Sequence, residues 1–358
     1  MTELAGSLAI RGETRGRALC IDRLGRLYIA RKYKIFRSDD GGISWVLDCR
    51  VPTSGWKPLA SEFALAARLL RFNIQAFQVL DDGTRVAVAW EGIYRAGPGE
   101  SRMVQTWPVT RGSRPISLSA HGSRVLFGEY GRIGMERLAL RVYYSEDSGR
   151  HFEPLFEFPK GDIHHVHNVV VDPFSDHYWV LTGDYGKTPG IAALSRDGRH
   201  LDWVDRGHQM VRAVSALPRP DCLIYGSDTD LEPNHIIRLD KKTGRWERLQ
   251  PVEGSSLYAA DVAGMAVIST SSETSTTGAV PPCSLYGSRD DVNWTRIISF
   301  KKDIWSPMLH FGVVVLPVVQ ASETPHWMFS GQALAGHHDR VSLCGSLPPE
   351  SDPERRLS

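Results

Sequence analysis

The stretch GDIHHVHNVVVDP places His164, His165 and His167 within four positions, and Asp184 follows in LTGDYG. A histidine that touches a carboxylate keeps one tautomer and serves as a proton acceptor near neutral pH. Two histidines one strand pitch apart, with Asp184, also begin a divalent-metal site, which a further ligand such as Asp228 or His310 would complete. A third chemistry needs two carboxyl groups. Glu129 in LFGEYG and Asp184 have the types required for the acid and the base or nucleophile of glycoside cleavage. Arg212 in QMVRAV offers a forked donor for a substrate carboxylate or phosphate. None of these residues requires an organic cofactor.

The chemistry depends on what brings these side chains together. HHVHNVVVDP reads as a strand, PFSD as a turn and HYWVLTGD as a second strand. An antiparallel pair returns its end beside its beginning, so Asp184 is expected next to His165 or His167. Alternation puts His165 and His167 on one side of the strand and His164 on the other.

The rest of the chain supports a strand reading. Apolar runs of four to eight residues recur, closed by Gly, Asp, Asn or Pro, and helical periodicity is scarce. One phrase returns: SDDGGISW at 38–45, SEDSGRHF at 145–152, SRDGRHLDW at 195–203 and SRDDVNW at 288–294. It reads as a hairpin turn whose Asp accepts backbone N–H groups, whose Gly takes a positive φ and whose aromatic ring tucks beneath the loop.

On these phrases the sequence resembles the Asp-box (BNR-repeat) β-propeller superfamily. Across roughly residues 17–300 it is similar to a group of uncharacterised, sialidase-like bacterial and archaeal members. The resemblance implies an all-β fold in one propeller, with each box joining the third and fourth strands of a blade, away from the usual active face. Four-stranded units can be laid out at 17–50, 73–108, 114–157, 163–206, 210–250, 254–300 and 304–346, giving about seven antiparallel blades. The propeller is expected over 1–346, with a flexible tail at 347–358. SLAI at 7–10 is a candidate to close the ring against the last blade. PLASEFALAARLLRF at 58–72 has helical spacing and is expected to form one short helical insertion, as a lid or as a packed segment.

In a propeller, the starts of first strands and the ends of second strands meet around the central channel. This rule selects Asn73, Gln75, His164, His165, His167, Gln209, Arg212, Tyr258 and His310 at strand starts. At strand ends it selects Arg31, Lys32, Glu91, Glu129, Tyr130, Asp184, Tyr185 and Asp228. The expected catalytic set is His165, His167, Asp184, Glu129 and Tyr185. Arg212, Gln209, Tyr130, Asp228, Glu91 and Tyr258 are expected to bind substrate. Each of them has the alternative of a hydrogen-bonded residue between blades.

Composition narrows the function. A formal net charge of +1 and the lack of a basic block argue against nucleic acid as a partner. Five scattered cysteines without CxxC spacing suggest reduced thiols. The absence of an apolar leader or a long apolar run predicts a cytoplasmic protein with no membrane partner. The resulting expectation is a carbohydrate-active enzyme, of glycoside hydrolase or polysaccharide lyase type. It would act on an acidic oligo- or polysaccharide by His/carboxylate acid–base chemistry. The alternative is a non-catalytic propeller that binds a glycan or protein partner.

Overall fold

The computed structural model describes residues 9–53, 74–131, 138–273, 280–306, 310–321 and 325–345. The expected helix at 58–72, Asn73 and the tail lie outside these residues. Seven antiparallel sheets follow one another along the chain, forming blades at 17–50, 76–108, 119–157, 165–206, 217–252, 256–300 and 313–345. Blade seven takes its fourth strand from the N-terminal segment Ile10–Arg15, which pairs antiparallel with Arg340–Gly345. The ring is thus sealed by the first strand, a few residues later than SLAI suggested. Inside it, Val318–Val319 adds a short parallel strand to Arg17–Ile21 of blade one.

Each blade is packed on both sides by its neighbours, so its middle strands bury both faces and read as continuous apolar runs. Arg85–Ala89 and Met265–Thr270 are buried at every position, whereas the outermost strand Val104–Pro108 remains largely accessible. Between blades two and three, Phe127 stacks on Tyr143 at 5.1 Å and meets Trp107 and Phe152 edge-on. Truncating a ring such as Phe127 should cost about 3–5 kcal/mol. Among the described residues no helix is long and apolar enough to cross a membrane.

The recurring turn phrases join third and fourth strands. In the first, Ser38 donates to Asp40 at 2.7 Å, Asp40 accepts from the Ser44 N–H, and the Trp45 indole donates to the Gly42 carbonyl at 3.1 Å. The same Ser-to-Asp bond recurs at Ser145–Asp147, Ser195–Asp197 and Ser288–Asp290. These Asp residues are structural pins on the turn side of their blades.

Candidate functional site

Blade four builds the centre of the site. Its inner strand His165–Val171 pairs with His177–Gly183, placing His165 opposite Gly183, and the register slips between Val166 and Asn168. The chain therefore bulges at His167, whose ring lies over Gly183. A Cβ at position 183 would stand 2.2 Å from His167 Cε1, so only glycine permits this stacking. Asp184 follows directly and receives both imidazoles, as the hairpin reading anticipated. His165 Nε2 lies 2.6 Å from Oδ2 and His167 Nε2 lies 3.3 Å from Oδ1.

The two histidines differ in how their second nitrogens are placed. His167 Nδ1 faces the Ala213 carbonyl at 2.9 Å, so both of its ring nitrogens are engaged and the ring acts as a brace. His165 Nδ1 is buried without a hydrogen-bond partner among the described residues, and the ring is covered by Tyr130, stacked at 4.1 Å. His164 touches His165 only edge-on, at 6.3 Å.

Blade five adds the cation. A 3-10 turn, Gln209–Val211, lets Gln209 donate to the Asp184 main-chain carbonyl at 3.0 Å and sets Arg212 against the Asp184 carboxylate. Arg212 reaches three carboxylates: Asp228 at 3.3 Å, Asp230 at 3.2 Å and Asp184 at 3.6 Å. Tyr185, half-exposed, places its ring 5.2 Å from the guanidinium and donates to Asp230 at 3.1 Å. Arg212, expected to hold a substrate anion, is the counter-ion of this acidic group in the structure.

Glu129 also departs from expectation. Arg111 grips both of its oxygens at 2.7 Å, and the Arg141 N–H donates to it at 2.9 Å. It is buried and does not line the central cavity. The pairing of Glu129 with Asp184 as acid and base is therefore not built. Glu273, which lies three residues beyond the second strand of blade six, lines the cavity instead. The strand-end rule misses it because SSET carries the acid past the strand boundary.

The cavity encloses about 1400 Å³ along the ring axis and is lined by Tyr130, His167, Asp184, Arg212, Asp228 and Glu273, among others. Glu91 and Tyr258 line it as well. Glu91 is exposed and accepts from Tyr94 at 3.3 Å, while Tyr258 accepts from Arg17 at 3.0 Å. Arg17 is absent from the expected set, although it opens the inner strand of blade one and the strand-start rule covers it.

The electrostatics separate the carboxyl groups. Burial would raise the Asp184 carboxyl, but the hydrogen bonds and charge of His165 and His167 outweigh it and hold the group well below the usual carboxylate range. Burial pushes Asp228 up, against the pull of Arg212. Glu273 is pushed up to about 7, first by burial and then by the negative field of Asp228, Asp230 and Asp184. One carboxyl at the cavity is thus fixed as the anion, and another exchanges its proton near neutral pH.

Among the described residues, no group of three or more His, Cys, Asp or Glu side chains converges as a metal site. His165, His167 and Asp184 do not form one, because the two rings bind opposite oxygens of the carboxylate and leave no common point for an ion.

No protein-family model matches the chain, and no curated protein does. Solved structures do match it. A chain of the mitotic checkpoint complex aligns at a TM-score of 0.61 with 9% identity, covering 96% of this chain and 94% of that one. YCF48 bound to D1 peptide aligns at 0.57 with 11% identity, covering 98% and 100%. The extracellular domain of BT4673 from B. thetaiotaomicron aligns at 0.52 with 13% identity, covering 96% of this chain and 39% of that one. The chain is a seven-bladed β-propeller. At these identities the likeness concerns the fold alone.

Proposed function

We propose that the propeller is a carbohydrate-active enzyme that cleaves a glycosidic bond at the mouth of its channel, with Glu273 as the proton donor and Asp184 as the fixed anion. The observation that carries this reading is the presence of two cavity-lining carboxyl groups whose surroundings drive their protonation apart. Glycoside cleavage needs one protonated carboxyl for the leaving oxygen and one ionised carboxyl for the cationic transition state. Asp228 and Asp230 add negative potential where that cation develops, and His165, His167 and Arg212 keep Asp184 ionised and in place. A wall of amides, hydroxyls and the exposed face of Trp90 suits a polyhydroxylated ligand.

The test is the release of reducing ends from a panel of neutral and acidic oligosaccharides. Glu273→Gln should lower turnover by at least about 100-fold, the usual contribution of a positioned acid. The wild-type rate should fall as pH rises through about 7, where Glu273 loses its proton. A Glu273→Gln variant with undiminished turnover would overturn the assignment.

A second reading has its own support, because both Asp184 oxygens already hold partners. Under it, the same face binds a polymer without cleaving it, and the propeller-like YCF48 was solved bound to D1 peptide. This reading gains if a saccharide or peptide binds the wild type and Glu273→Gln equally and neither releases product.

A further inference from the structure

The cavity holds a second cation whose surroundings contrast with those of Arg212. Arg17 begins the inner strand of blade one, is 94% buried (6% exposed) and lines the cavity. Its Nη2 donates to the Tyr258 hydroxyl at 3.0 Å and reaches the Gln75 carbonyl at 3.4 Å, both neutral acceptors, and its Nε is buried with no acceptor among the described residues. Two of the other buried arginines among the described residues have carboxylates in reach: Arg85 has Asp48 at 3.1 Å and Arg212 has three. Arg95 donates to the Ser148 carbonyl and the Thr84 hydroxyl, and its charge acts on Asp82.

A guanidinium is permanently charged and carries five N–H donors in a rigid fork. Burying it beside neutral acceptors alone is costly unless an anion completes it. Arg114 also lines the cavity and donates to Gln75 Oε1 at 3.5 Å, and the charges of Arg114 and Glu91 both act on Tyr33.

We infer that Arg17, backed by Gln75, Tyr258 and Arg114, forms an anion subsite of the channel, made for a carboxylate or phosphate group on the ligand. Blades four to six present Asp184, Asp228 and Glu273 to the cavity, and blade one presents Arg17, which holds an anionic substituent. The substrate class follows as an acidic saccharide, a uronic acid or a sugar phosphate. Its charge is read at Arg17 rather than at Arg212. The sugar part rests on the function proposed above, whereas the anion subsite stands by itself.

The experiment titrates the full chain, at constant ionic strength, with inorganic phosphate, glucuronate, glucose 6-phosphate and glucose, following heat of binding and thermal midpoint. Phosphate should bind the wild type saturably and raise its midpoint, and at least one anionic sugar should bind at least tenfold tighter than glucose. Arg17→Gln should abolish phosphate binding and the preference for anionic sugars while leaving glucose binding unchanged. Arg17→Lys keeps the charge without the fork and should retain only part of the preference. Whichever of glucuronate and glucose 6-phosphate binds tighter identifies the anion. Phosphate and both acidic sugars binding the wild type no better than glucose, or binding Arg17→Gln as well as wild type, would overturn the inference. Loss of phosphate binding in Arg17→Gln, in a protein that releases no reducing ends, would uphold the subsite and remove the catalytic reading.

Discussion

Asp40 on the turn side of blade one and Asp184 at the channel mouth are both held below the usual carboxylate range, yet for opposite reasons. Asp40 is fully exposed and is served by the hydroxyl and N–H of Ser44 and the hydroxyl of Ser38, all within four residues. Asp184 is mostly buried and is served by His165 and His167 from the neighbouring strand and Arg212 from the next blade. The first arrangement needs one hairpin. The second needs two blades docked in register, so it stores interaction energy that the chain gains only once the ring is assembled. A local pin can stand in any blade, whereas a shared anion ties blades together.

That contrast can be broken in graded steps. Asp184→Asn weakens the acceptor of two imidazoles and removes part of the counter-charge of Arg212, and urea denaturation should show a loss of about 3–5 kcal/mol, typical of a broken buried pair. A loss under about 1 kcal/mol would make Asp184 equivalent to a surface pair. Glu273 has the opposite sign to Asp184. Its folded pKa, about 7, exceeds the unfolded value of 4.5, so the folded chain binds the extra proton across that window and stability falls as pH rises through it. The loss should approach about 3 kcal/mol at pH 8, and Glu273→Gln should remove it, as seen by comparing denaturation at pH 5 and pH 8. Asp184 instead gives up stability only as pH falls below about 4, its ordinary value being 3.8.

Gly183→Ala forces a Cβ into the His167 ring and should cost about 1–3 kcal/mol, with a shifted His167 imidazole resonance in the NMR spectrum. An unshifted resonance would show that the ring tolerates the methyl. The smallest change belongs to the turn side. Ser145→Ala removes the hydroxyl that donates to Asp147 and accepts from the Gly149 N–H, and should cost about 1 kcal/mol between pH 5 and 8. A cost above that of Gly183→Ala would reverse the order of the two regions.

Much of the architecture was legible because propeller blades are built from neighbours in sequence. The blade spans read from the turn phrases agree with the sheets within a few residues, except where blades three, five and seven begin. The blade-four hairpin was legible too, since antiparallel return puts Asp184 beside His165 whatever surrounds them. The partners of Glu129 and Arg212 were not legible. Glu129 was selected at a strand end and Arg212 at a strand start, but Arg111 and Asp230 hold them, and nothing in the local sequence marks these as partners.

The sequence alone determined what depends on short range: strand alternation, the Ser-to-Asp turns and the placement of Asp184 beside His165 and His167. Such contacts form between residues separated by one turn, so residue type and spacing suffice. Only the tertiary structure decided which charges meet across blades. Arg111 satisfies Glu129, three carboxylates satisfy Arg212, Glu273 is left with a proton near neutral pH, and Arg17 is left with neutral acceptors alone among the described residues. Those outcomes follow from burial and from Coulomb energies in a closed ring of low dielectric, where distance in space rather than along the chain sets the partner.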